Sequence, residues 1–267
     1  MSGLRVTSMR GMACALVVAT LVMVASFAMV AATPASAHAE GKTSVWVVKS
    51  VKSTYDGGSS VSNYTYSNKG LVKSLKEVYK YDSDSQTFVD AYAYTSKNAY
   101  KGQTVKMDGK TVAKYTFTND SKGRVTKSSY KVDGKKYVTK YAYNKKGQVS
   151  KATFDDGNYT KFSYSGGLMT KTVSKGEYGS YTTTYKYDKK GYPTKVYYDG
   201  GLTASYKNTY KNGKLVKRSV KDESGKVYSK ITYTYKKVSV PKSLAKMVKA
   251  QQRIAITQEL PLVTAHK

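Results

Sequence analysis

Groups able to do nucleophilic or metal chemistry are scarce in this sequence. It holds two His, one Cys and 17 acidic residues among 267. Catalysis by Ser or Cys needs a base beside the nucleophile, most often His, and here His38 and His266 sit at opposite ends of the chain. Cys14 alone builds neither a disulfide nor a cysteine zinc site. Ser and Lys abound, but no Ser–Lys pair is marked above the others. Most acids sit in turn-like contexts, where Asp bonds its own backbone, and not as the convergent pair that glycoside hydrolysis requires. Asp82, Asp84 and Asp90 are spaced loosely like a calcium loop. Thr87, however, stands in the place of the mid-loop Gly and Ala93 in that of the bidentate Glu, so a solvated loop is expected. No catalytic residue, cofactor-binding residue or metal ligand is assigned, no cofactor is implied, and the expectation is a non-enzymatic protein.

Charge remains. Lys and Arg number 46 against 17 acids, a net +29. Lysine recurs just after a turn at Lys73, Lys127, Lys151, Lys171, Lys195 and Lys217, which the repeat described below should align into one positive stripe. Lysine also guards sheet edges against aggregation, but solubility needs far less charge than this. The expected partner is therefore an anionic polymer or surface: wall polymers, mucins or sulfated glycans. After residue 40 the only arginines are Arg124, Arg218 and Arg253. That scarcity argues against sequence-specific nucleic-acid readout, which favours Arg. The alternative reading is a repeat protein, structural or immunity-type, that binds one specific protein partner. An enzyme with an unrecognised site ranks last.

The elements that must carry this charge begin after a signal peptide over residues 1–39. Arg5 and Arg10 precede an apolar run, Met12–Ala32, and Pro34 precedes small-x-small sites that allow cleavage after Ala37 or Ala39. The run is long enough to span a bilayer, so an uncleaved anchor is the rival; the small residues that follow favour cleavage and leave no membrane span. Losing Arg5 and Arg10 lowers the net charge from +29 to +27 and removes the only Cys. The expected location is secreted or cell-envelope associated.

Residues 40–240 form a repeat domain. Its copies include YTYSNKGLVKS (64–74), YTFTNDSKGRVTKS (115–128), YAYNKKGQVSKA (141–152), FSYSGGLMTKT (162–172) and YKYDKKGYPTKV (185–196), with a degenerate NTYKNGKLVKRS (208–219). Alternating Tyr places rings on one face of a strand, and the Gly-containing turns suit hairpins. Asp-Gly pairs such as Asp108-Gly109, Asp133-Gly134, Asp156-Gly157 and Asp199-Gly200 mark a second turn in each period. The expected fold is all-β: a long antiparallel meander of about 12 to 15 strands, forming a twisted or curled sheet. Few aliphatics are present, so the 27 Tyr must supply much of the core. Trp46 is expected to plug one sheet end. Residues 241–267 hold a short helix and tail. Pro241 opens the helix, Leu244, Met247, Val248, Ile254 and Ala255 share a stripe, and Lys242, Lys246, Lys249 and Arg253 occupy the rest. A cap on the repeats is expected, ahead of a membrane-surface helix.

The copy YKYDKKGYPTKVYYDGG (185–201), with Tyr187-Asp188 and its turn Gly191, resembles the YD-repeat (Rhs-like) family, as does Tyr81-Asp82. YKNGKLVKRSVKDESGKVYSK (210–230) resembles the MORN-variant repeat as a second candidate. Large YD-repeat proteins form β shells around a toxic domain, for which this chain is too short. Either resemblance implies an architecture and brings no catalytic residues with it.

Overall fold

The computed structural model describes residues 41–257 apart from Asp133. The expected signal segment with Ala37 and Ala39, both His, Cys14 and the residues beyond 257 lie outside the described residues. Sixteen strands follow one another: β1 (Lys42–Tyr55), β2 (Gly58–Tyr66), β3 (Val72–Tyr81), β4 (Asp84–Tyr94), β5 (Tyr100–Met107) and β6 (Lys110–Asn119). The chain continues through β7 (Val125–Val132), β8 (Lys135–Tyr143), β9 (Val149–Phe154), β10 (Tyr159–Ser165) and β11 (Leu168–Gly176). The last five are β12 (Gly179–Tyr187), β13 (Pro193–Tyr198), β14 (Gly201–Lys211), β15 (Lys214–Lys221) and β16 (Val227–Pro241). A 3₁₀ turn (Lys242–Leu244) then leads into helix α1 (Ala245–Thr257).

Each strand pairs antiparallel with the next, and β1 pairs with β16 from Lys42↔Pro241 to Tyr55↔Ser229. The expectation of a twisted or curled sheet of about 12 to 15 strands is thus corrected: the meander closes into a sixteen-stranded barrel. Closure removes both sheet edges, a solution that a twisted sheet of this many strands favours over remaining open.

Alternation decides which face is inside. On β8 Thr139 and Tyr141 are buried, while Lys140 and Ala142 between and beside them are exposed. The same pattern buries Tyr64, Tyr206 and Tyr233 beside Val51, Leu75, Val196 and Ile231, and Tyr115 beside Val105 and Ala113. Rings stand in for the missing aliphatics, as with Tyr100 packed edge-on against Phe117 at 5.6 Å.

At one end of the barrel a Tyr in seven of the repeats, and Asn119 in the eighth, meets a bulge. The registers shift at Tyr66↔Val72, Tyr94↔Tyr100, Asn119↔Val125, Tyr143↔Val149, Tyr164↔Met169, Tyr187↔Pro193, Tyr210↔Leu215 and Tyr235↔Val48. A bulge leaves ladder groups unpaired, and a side chain of the following repeat answers each. Tyr94 Oη donates to the Val72 carbonyl at 2.9 Å, Tyr143 to Val125 at 2.6 Å, Tyr164 to Val149 at 2.8 Å and Tyr235 to Leu215 at 2.6 Å. Tyr187 donates to Met169 and Tyr66 to Val48. Where the ring is not used, an amide replaces it: Asn119 Nδ2 donates to Tyr100 O and Asn208 Nδ2 to Pro193 O. All eight repeats are stitched in this way around one rim. Removing one hydroxyl while keeping its ring tests the stitch. Tyr143→Phe is expected to cost about 1–2 kcal/mol by stranding the Val125 carbonyl, a fall in Tm of roughly 2–8 °C. Tyr178→Phe, at a ring 85% exposed, should stay within about 0.5 kcal/mol. Equal Tm changes for the two variants would contradict the stitch.

The Asp of the YD pair has a separate task. Asp188 Oδ1 accepts the amides of Lys190 and Tyr192 at 2.9 and 3.0 Å, closing the turn from inside. Asn144 and Asp120 do the same in their copies. Tyr81-Asp82 differs: it lies in the turn at the other end of the barrel, with Asp82 at φ +48°, and is not an equivalent position.

Helix α1 lies across the stitched rim. Strand β1 pairs with β2 only over Ser50–Tyr55, so its first half leaves a gap in the wall beside β2. Leu244, Met247 and Val248 fill that gap, clustered with Val45, Val47, Leu71 and Val240. The Val48 amide donates to Gln252 Oε1 at 2.7 Å and the Val72 amide to Gln251 Oε1 at 3.4 Å. Arg253 reaches the β12–β13 turn and donates to the carbonyls of Lys190 and Gly191 at 3.1 and 3.0 Å. The β2–β3 turn comes so close that a Cβ on Gly70, whose φ is +78°, would stand 2.3 Å from Val240. Trp46 is not the plug: it is 46% exposed, with Lys214 Nζ 3.6 Å from its ring centroid.

Candidate functional site

The six motif lysines all lie on odd-numbered strands just past the stitched rim, but they do not share one register position. Lys127, Lys151, Lys171, Lys195 and Lys217 occupy the first paired position after each bulge, opposite Thr118, Ala142, Ser163, Lys186 and Thr209. Lys73 is itself the bulged residue, because Tyr66 pairs Val72 and Thr65 pairs Ser74. Two lysines outside the motif alignment share that bulged position: Lys49 of β1 and Lys101 of β5, skipped between Val48/Ser50 and between Tyr100/Gly102. Every odd strand therefore carries one lysine at the bulge or one residue beyond it. The eight form a closed belt, and all are exposed except the half-buried Lys151, whose Nζ sits 4.4 Å from the centroid of the Tyr159 ring.

Even strands reinforce the belt. Lys140 pairs across from Lys127, Lys161 from Lys151 and Lys186 from Lys195. Further from the rim Lys131 faces Lys136, and at the β14–β15 turn Lys211 faces Lys214. Like charges directly opposite on a sheet repel. Among the described residues none of these lysines has a carboxylate within ion-pair distance; the Arg124–Asp120 pair at 2.6 Å is internal to one turn.

The acids are placed elsewhere. Asp90 was expected in a solvated loop and instead points inward from β4, 4% exposed, accepting from Gln103 Nε2 at 2.7 Å. Burial pushes its carboxyl up to about 7; the Gln103 bond opposes this and the nearby Glu77 carboxylate adds to it. Glu77, inward on β3 and bonded by Ser62 Oγ at 2.9 Å, is raised for the same first reason, burial. Burial works to raise Asp188 as well, but the Tyr210 hydroxyl, the Tyr192 amide, the Asn208 side chain and the Lys190 amide together hold it below the usual carboxylate range. Asn208 also accepts from Arg218 Nε at 2.9 Å, linking Asp188 to an arginine only 1% exposed. Acids thus serve turns and the interior, while uncompensated cations cover the outside. Among the described residues no three His, Cys, Asp or Glu side chains gather as a metal group, and none of the helices is long and apolar enough to cross a membrane.

No protein-family model matches the chain, and no curated protein matches it. Among solved structures it is similar to a porin-like protein from Bacteroides uniformis, with a TM-score of 0.55 and 12% identity over 71% of this chain and 98% of that one. Crystal structures of TcdB2-TccC3-TEV and of TcdB2-TccC3 without its hypervariable C-terminal region give TM-scores of 0.33 at 13% and 14% identity. This chain spans 12% and 11% of theirs. The likeness to the porin-like protein is one of fold: a β-rich barrel.

Proposed function

We propose that this chain is a non-enzymatic, YD-like β-repeat protein that is secreted or held at the cell envelope and binds extracellular polyanions through its lysine belt. The observation that carries the reading is the closed ring of eight outward lysines with directly opposed Lys–Lys pairs and, among the described residues, no carboxylate partners. Such pairs cost stability in the free protein, and polyanion charge removes that cost. The belt encircles the barrel, so a flat bilayer would meet only part of it at once. Chain-like polymers that surround the protein, such as wall polymers, mucins or sulfated glycans, can engage it from every side. Lysine acts here as a point charge without the bidentate geometry of Arg, which suits polymers of irregular spacing.

Chromatography on heparin and on isolated cell wall across a salt series tests the reading. Retention should be strong at low salt and fall steadily as salt rises, since binding releases condensed counterions. Changing all eight belt lysines to Gln should weaken binding by about 100-fold or more at physiological salt. Absence of retention at low salt would overturn the reading. So would capture of one stoichiometric protein whose binding ignores salt.

A further inference from the structure

A concavity lies in the wall beyond the eight belt lysines, on the side away from the stitched rim. It lies across β6, β7 and β8 with a volume of about 490 Å³, within the range of small-ligand sites. Val112, Lys114, Thr116, Ser129, Lys131 and Lys136 line it. The ladder explains why these side chains meet. Thr116 pairs Ser129 and Tyr115 pairs Tyr130, the last pair of that ladder, and Lys114 and Lys131 are the next residues on the two strands; Lys131 in turn pairs Lys136. Three lysines on three adjacent strands, which lie about 5 Å apart, therefore line the same concavity. Among the described residues none of the three makes an ion pair. A nearby carboxylate, Asp155, is engaged by the Val138 amide at 3.2 Å.

Two further features suit a ligand that carries both charge and a ring. Thr116 Oγ1 and Ser129 Oγ are 2.9 Å apart. One hydroxyl donates to the other, so the acceptor keeps its own proton to give to an anion. Val112, the residue bulged out between Thr111 and Ala113, is 40% exposed and offers an apolar wall to the C–H face of a sugar.

We infer that this groove is a binding site for a sugar residue bearing a tetrahedral oxyanion ester, sulfate or phosphate, within a polyanionic glycan. The three lysines neutralise the ester, the Thr116–Ser129 pair donates to one of its oxygens, and Val112 packs on the ring. The inference rests on the polyanion reading and deepens it: the belt supplies diffuse attraction, and the groove selects the unit.

The probes are N-acetylglucosamine 6-sulfate and N-acetylglucosamine 6-phosphate, with plain N-acetylglucosamine as control. Each is titrated by NMR against the wild type, a K114Q/K131Q/K136Q variant and the eight-lysine belt variant. Wild type and belt variant should bind at least one ester, with shifts centred on Val112, Thr116 and Ser129, and the control should bind at least tenfold more weakly. The groove variant should lose at least tenfold in affinity while keeping its Tm. Preference between the two esters separates a sulfated from a phosphorylated polymer. If wild type is retained on heparin but binds neither ester, or the groove variant binds as wild type, the groove assignment falls and the belt reading stands. If wild type binds an ester yet neither heparin nor cell wall, the belt reading falls and the groove stands as a site for the free sugar ester.

Discussion

A chain ended at Pro241 is expected to lose more than 5 kcal/mol of stability and to open beside β1. Truncation removes Leu244, Met247 and Val248, which are 2%, 6% and 0% exposed. At about 1.5–3 kcal/mol for each buried aliphatic side chain, these alone give roughly 5–9 kcal/mol. It also strands the Val48 and Val72 amides that Gln252 and Gln251 receive, at about 1–3 kcal/mol each. Domains of this kind have about 5–15 kcal/mol in total, so the truncated barrel sits near its limit. At roughly 2–4 °C per kcal/mol for this size, Tm should fall by 10 °C or more. Amide exchange at Val48 and Val72 should quicken before exchange at Val149 or Val196. Gln252→Ala in the full chain separates the hydrogen bond from the packing: it should cost about 1–3 kcal/mol and leave the barrel closed. A truncated protein with the wild-type Tm would show that α1 does not hold the wall.

The second large effect is a reversed pH dependence. Carboxylates that are paired in the fold usually make proteins weaken in acid. Asp90 does the opposite, because burial raises its folded pKa to about 7 from about 3.9 in the unfolded chain. Its contribution is full below about pH 4 and is lost as pH rises through about 7. At 1.36 kcal/mol per pKa unit, the loss is roughly 4 kcal/mol. Glu77, raised by burial too, acts in the same direction. Urea unfolding should therefore show wild type more stable at pH 5 than at pH 8. Asp90→Asn keeps an acceptor for Gln103 and stays neutral throughout. It should be more stable than wild type at pH 8 by several kcal/mol and flatten most of the slope. A wild-type stability that does not change between pH 5 and 8 would show that Asp90 is already relieved of its burial cost.

These contacts mark what could be read from the sequence. The Y-x-Y spacing and turn glycines were sufficient to give hairpins, a Tyr core and a capping helix, because strand period and turn chemistry are local. Closure was not legible, since the partner of Lys42 is Pro241 and no local pattern announces so distant a pairing. The task of the second Tyr was hidden for another reason. Its acceptor is a backbone carbonyl, which every residue carries, so Tyr143 gives no sign that it serves Val125. Motif alignment found five belt lysines in register and grouped Lys73 with them, because counting residues cannot see a bulge. Lys49 and Lys101 were missed on the same account: their strands place the charge one residue earlier. The three groove lysines show no common spacing, since an antiparallel ladder, and not a repeat, brings them together.

The pairing of β1 with β16 also sets the order of assembly. Nearly every other contact joins strands that are neighbours in sequence, and these hairpins can zip as the chain lengthens, with little loop entropy to overcome. The one join of high contact order must wait until the last strand has been made. Until then β1 and the most recent strand are both open templates for foreign strands. Lys49 and Lys52 on β1 and Lys230, Lys236 and Lys237 on β16 charge the two edges that meet at this final seam. Charge along a sheet edge disfavours pairing with a foreign strand, so the same lysines that coat the finished barrel also guard its seam whenever that seam is open.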